Sequence, residues 1–127
     1  MKGDLIMFHS LVLVGNLGKE PEMRYTPKGT AVTTLSVAVN EGFGDNTETI
    51  WFNVSVWGNQ AEACNDHLKK GQQVTILGKI KPDKETGNPR TFQRKDGSSG
   101  ASYDIWANDV RFGKREESQI EDFSDIF

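Results

Sequence analysis

Ile50-Trp51-Phe52-Asn53-Val54-Ser55-Val56-Trp57 sorts its side chains with a period of two. Successive Cβ atoms of a strand point to opposite sides, so Ile50, Phe52, Val54 and Val56 share one face and Trp51, Asn53, Ser55 and Trp57 the other. The first face is core. The second carries two indole rings with only Asn53 and Ser55 between them. Rings in that position either pack against another sheet, a loop or a subunit, or form a platform on which nucleobases stack.

Outward from this strand the chain stays β-rich. Upstream, residues 31–39 alternate Leu35, Val37 and Val39 with Thr34, Ser36 and Ala38, a strand with one buried face. Before it, residues 8–15 continue through Asn16-Leu17-Gly18 to Met23-Arg24-Tyr25, which reads as one long strand bent near its glycines and followed by a Pro27-Lys28-Gly29 turn. Downstream, Asn59 opens a helix. Glu62 stands at capping-box spacing, Ala61, Cys64 and Leu68 form an apolar stripe, Lys69 and Lys70 sit at the negative end of the dipole, and Gly71 stops it. A fourth strand over residues 73–81 directs Val74, Ile76 and Ile80 inward and Thr75, Lys79 and Lys81 outward, and a fifth covers about residues 102–112. Residues 82–101 form a hairpin region rich in Gly, Lys and Asp. Glycine and proline punctuate short β-type runs throughout, which favours an all-β fold over βαβ units. Three strands, a helix and two strands is the order of a five-stranded OB barrel with one short helix between strands three and four, the helix plugging the barrel.

The size fits one such domain. The chain has 127 residues, 35% hydrophobic, with a mean hydropathy of −0.56. No apolar run reaches the ~18–20 residues of a membrane span, and Asp4 interrupts the start where a signal peptide carries only bases. These features exclude membrane and secreted classes and lead us to expect a cytoplasmic protein. A single cysteine and two histidines leave no disulfide and no zinc cluster, so no cofactor is expected. The net charge of −3 conceals an asymmetry. Residues 116–127 hold five acids and no Lys or Arg, which leaves 15 bases against 13 acids in residues 1–115, a body of +2 and a tail of −5.

Lys79 and Lys81 would reach phosphates beside the Trp51 and Trp57 platform, or simply belong to a solvated face. Phe43, between Gly42 and Gly44, is an aromatic on a loop, either tucked beneath it or offered to a base. Arg90-Thr91-Phe92-Gln93-Arg94-Lys95 interleaves bases with an aromatic on an arm able to wrap a flexible strand. Trp106, in the fifth strand, reads as packing. No paired carboxylates with a nearby His, no nucleophile elbow and no phosphate-loop lysine occur, so an enzyme is not expected. The residues alone leave open a single-stranded DNA binder, an RNA-binding OB protein and a protein-interaction adaptor.

Leu13-Val14-Gly15-Asn16-Leu17-Gly18-Lys19-Glu20-Pro21-Glu22-Met23-Arg24-Tyr25-Thr26-Pro27-Lys28-Gly29, together with Ile50-Trp51-Phe52-Asn53-Val54 and Val56-Trp57-Gly58, resembles the bacterial-type single-stranded DNA-binding protein family. The resemblance implies an OB fold, usually a homotetramer, that coats single-stranded DNA in replication, recombination and repair, in a bacterial cytoplasm and its nucleoid or encoded by a phage. On the family pattern Trp51 and Trp57 fall at base-stacking positions, Phe43 where a stacking Trp is common, and Lys70 at a backbone contact. The fourth-strand stacking Trp has no counterpart directly after Lys81, and Phe92 takes that role if Pro82 to Pro89 is an insertion. Arg90 and Arg94 join the expected DNA contacts. The acidic end resembles the family's partner-recruiting tip, with Asp122, Asp125, Ile126 and Phe127 as the contact residues. It departs from the pattern in carrying Ile126 where Pro is usual and in its short linker. The expected division is an extension over residues 1–7, a DNA-binding domain over 8–113 and a disordered acidic tail over 114–127.

Overall fold

Period-two alternation builds seven strands and a single helix among the described residues, which in this computed structural model are 6–113. They run β1 (Leu11–Leu17), β2 (Glu22–Tyr25), β3 (Ala31–Glu41), a 3-10 turn (Gly44–Asn46), β4 (Glu48–Trp57), α1 (Asn59–His67), β5 (Gln73–Ile80), β6 (Arg90–Gln93) and β7 (Ser99–Phe112). Around the barrel the order is β1, β5, β7, β4, β3, closing onto β1 through Asn16 opposite Ala38 and Leu17 opposite Val37. Gly15 permits that closure, because a Cβ there would fall on the Ala38 carbonyl. Every barrel pairing is antiparallel except β4 with β7. This is the expected closed five-stranded, OB-like barrel with one short helix.

Leu13, Leu17, Leu35, Val37, Val54, Val56, Val74, Ile76 and Ile105 fill the interior, and Ala61 and Cys64 of α1 with the adjoining Leu68 close one end. Thr33, fully buried, fastens the plug by donating its hydroxyl to the Ala61 carbonyl at 2.6 Å. Burial pushes the Cys64 thiol up to about 11, so it stays protonated and behaves as a small apolar residue. At the start of the barrel His9 Nε2 accepts the Ile80 N–H at 2.7 Å.

Several expectations change in detail. The long first strand is two strands: β1 pairs with β5 and β2 with β3, separated at Gly18-Lys19-Glu20-Pro21, where proline offers no N–H to a ladder. The capping box does not form. Gly58, at φ 69, is the N-cap and Asn59 is already helical. The helix ends at His67 and not before Gly71, because Leu68 turns extended to bury its side chain. Ile80, expected inward, is half exposed, since it ends β5 at the mouth opposite the helix. There it borders a cavity of about 310 Å³ with Leu11, Phe52, Tyr103 and Ile105. The last strand begins at Ser99, earlier than expected, because β6 gives its first residues a partner and makes an arm of the 82–101 region. The expectations for residues 1–5 of the extension and for the tail from Lys114 lie outside the described residues.

Candidate nucleic-acid interface

Registered residues of neighbouring strands project to the same side, so the pairings define one outer face. On β4 it carries Trp51, Asn53, Ser55 and Trp57; Trp51 is 53% and Trp57 45% exposed. On β7, Asp104 stands opposite Asn53 and Trp106 opposite Ser55, and on β5, Lys79 stands opposite Trp106. Trp51 and Trp57 thus keep about half of their surfaces exposed on this face of the chain, and a third indole joins them. Trp106, expected as packing, is 37% exposed, with the Lys81 ammonium 5.8 Å from its ring centroid. The missed signal was the same period of two: Tyr103, Ile105 and Ala107 alternate with Asp104 and Trp106 along β7.

Gly18 supports the platform from beneath. A Cβ there would overlap the Trp51 ring, so only glycine lets the indole lie against the backbone. Lys70 sits in the turn after the helix, and its N–H donates to Glu20 Oε1 at 3.2 Å, tying that turn to the Gly18 to Pro21 segment. Phe43 lies off the sheet, 91% exposed at the tip between β3 and β4.

The arm adds charge and one more ring. Arg90 and Arg94 hold their guanidinium carbons 5.7 Å and 5.6 Å from the Phe92 ring. Arg94 Nη1 also donates to the Ser99 carbonyl at 2.6 Å. Arg90, expected to offer its charge to phosphate, also carries an ion pair within the chain. Its Nε donates to Asp104 Oδ2 at 2.7 Å and its Nη2 approaches Oδ1 at 3.5 Å. Asp104, 7% exposed, also accepts Ser102 Oγ at 2.5 Å and Asn53 Nδ2 at 3.5 Å. Burial alone would raise this carboxyl, but the donors from Arg90 and Ser102, the Arg90 charge and the Asn53 amide together hold it below its ordinary value. The same bond raises Arg90 further above its ordinary value. Sequence reasoning did not single out Asp104.

The face thus brings together Trp51, Trp57, Lys79, Lys81, Arg90 and Phe92, adds Trp106 and Asp104, and leaves Phe43, Lys70 and Arg94 at its margins. Asp122, Asp125, Ile126 and Phe127 lie outside the described residues. Among the described residues no group of His, Cys, Asp or Glu could hold a metal ion. Stacking surfaces beside ammonium groups can hold a single strand by its bases and its backbone.

Comparison with known proteins identifies the family. The model of the single-strand binding protein family matches residues 8–113. A single-stranded DNA-binding protein of Neisseria meningitidis serogroup A is 36% identical over 117 residues, covering 87% of this chain and 63% of that protein. One of Oceanobacillus iheyensis is 34% identical over 116 residues, 89% of this chain and 68% of its own length. One of Clostridium tetani is 34% identical over 122 residues, 91% and 79% respectively. The chain therefore spans a little under two thirds of the Neisseria relative. A family match over this much of the sequence means that the chain belongs to the single-strand binding protein family.

Proposed function

We propose that this chain binds single-stranded DNA without reading its sequence and without catalysis. The observation that carries this is the set of three outward indoles, Trp51, Trp57 and Trp106, on one barrel face with Lys79 and Lys81 beside them. Bases stack on the rings and phosphates meet the ammonium groups, and neither contact depends on base identity. Phe92 extends the stacking surface along the arm, Phe43 adds a ring at the loop tip, and Lys70 and Arg94 add charge at the margins. Arg90 serves the arm's geometry more than the DNA charge.

Residues 8–113 are the DNA-binding domain in this reading, preceded by an extension and followed by the acidic tail. The chain works as a homo-oligomer, a tetramer on the family pattern. In support, Val12 and Val14 are exposed on β1, whose edge away from β5 pairs with β3 only at Asn16 and Leu17. The tail, with Asp122, Asp125, Ile126 and Phe127 at its end, recruits replication, recombination and repair proteins in the cytoplasm. Its five acids and the aromatic Phe127 suit a basic-rimmed apolar pocket on a partner.

The test is a titration of the whole chain, followed by tryptophan fluorescence, with oligo-dT, oligo-U and a duplex at several salt concentrations. Quenching and tight binding with oligo-dT, weaker binding of the other two, and a fall in affinity with salt are expected. Equal affinity for oligo-U would assign the platform to RNA, and absence of quenching would make the indoles structural.

A further inference from the structure

The arm and the barrel share one strand. The first residues of β7, Ser99 to Ser102, pair only with β6, while β4 and β5 take over from Tyr103 and Ile105. At that joint the backbone adds just the Lys81 N–H donating to the Asp104 carbonyl at 2.8 Å. A two-stranded ribbon held at its base by one continuing strand twists easily. Arg90 crosses this joint. It stands opposite Ser102, in the last pair of the arm, and its guanidinium reaches the Asp104 carboxylate in the barrel wall.

Asp104 is buried enough that its other partners, two neutral donors, would leave a carboxylate poorly compensated without Arg90. A charge-assisted fork of this kind fixes direction as well as distance. The same Arg90 flanks the Phe92 ring, and Phe92 with Arg94 folds over Gly100, where a Cβ would come within 2.7 Å of Phe92 Cζ and 2.8 Å of Arg94 Nη2. Gly100, Ser102, Asp104 and Trp106 alternate along one side of β7, so the Phe92 side of the arm is continuous with the tryptophan face.

We propose that the Arg90–Asp104 pair is a positioning latch that sets the arm's angle to the barrel, so that a strand lying on Trp51, Trp106 and Trp57 continues over Phe92. The latch rests on the DNA-binding reading above. Its two charges cancel, so it contributes alignment and little attraction, and the effect of breaking it depends on how much of the arm the bound strand covers.

The test compares oligo-dT of about 5 and about 15 nucleotides, lengths within and near the full footprint of one OB fold. Wild type, D104N and the exchange R90D/D104R are titrated at one salt concentration. Because D104N also frees the Arg90 charge, the readout is the ratio between lengths: relative to wild type, D104N should lose about tenfold more on the long oligomer than on the short one, with the exchange recovering most of that difference. An equal change on both lengths in D104N, or an exchange that restores none of the length dependence, overturns the latch. If circular dichroism shows D104N unfolded, R90K decides instead, because it keeps the charge and loses the fork. The same length-selective loss supports the latch and its absence overturns it. A wild type that binds neither oligomer overturns the DNA-binding reading and the latch with it.

Discussion

Single side chains on the outer face have separable tasks. Trp51, Trp57 and Trp106 are each half free, so truncating any one to Ala should remove one stacking surface and cost roughly 1–3 kcal/mol of oligo-dT affinity. Thermal midpoints should stay close to wild type, and fluorescence titration of the three variants checks it, with W106A the most informative because the exposure of Trp106 was not legible in advance. Asp104 has a different signature. Its carboxyl is lowered by folding, so its contribution to stability is complete above the unfolded value of about 3.9 and is lost as the pH falls through the folded value beneath it. Arg90 remains charged throughout that window. Urea midpoints between pH 3 and 6 should therefore give a difference between wild type and D104N that is flat at the upper end and shrinks below about pH 4.

At the level of elements, strands whose one face is buried declared themselves through alternation, as β3 and β4 did. What stayed hidden depended on contacts between segments distant in sequence. The helix end is an example: a local rule points to Gly71, yet Leu68 leaves the helix early because the barrel offers it a closed apolar site. The break between β1 and β2 is another, since their different partners, β5 and β3, are decided by barrel closure. Trp51 and Trp57 were legible as a pair because they share one strand. Asp104 was not, because its meaning arises only when an arm residue crosses to it. Leu68→Ala should cost about 2–5 kcal/mol, read as a lower urea midpoint, because the plug cannot collapse into the space left.

For the whole molecule, charge is divided between a mildly basic body and a tail of −5. On the proposed reading, with Arg90 engaged by Asp104, phosphate contacts would fall chiefly to Lys70, Lys79 and Lys81, and the slope of log K against log salt for single-stranded DNA should be about −2, at roughly −0.7 per contact. If residues 116–127 act as the proposed acidic tail, deleting them should tighten oligo-dT binding, most clearly at low ionic strength where screening is weakest. The deletion should also abolish capture of partner proteins, and identical sets of captured proteins before and after would reduce the tail to charge alone. The barrel's closure governs a further matter, the timing of its birth. β1 is synthesised well before β5, yet β5 is its main partner, and His9 waits for the amide of Ile80. A nascent chain halted on the ribosome ahead of Gln73 holds β1, β3, β4 and α1 with one wall missing, so it should be digested by protease at every step until β5 and β7 have emerged.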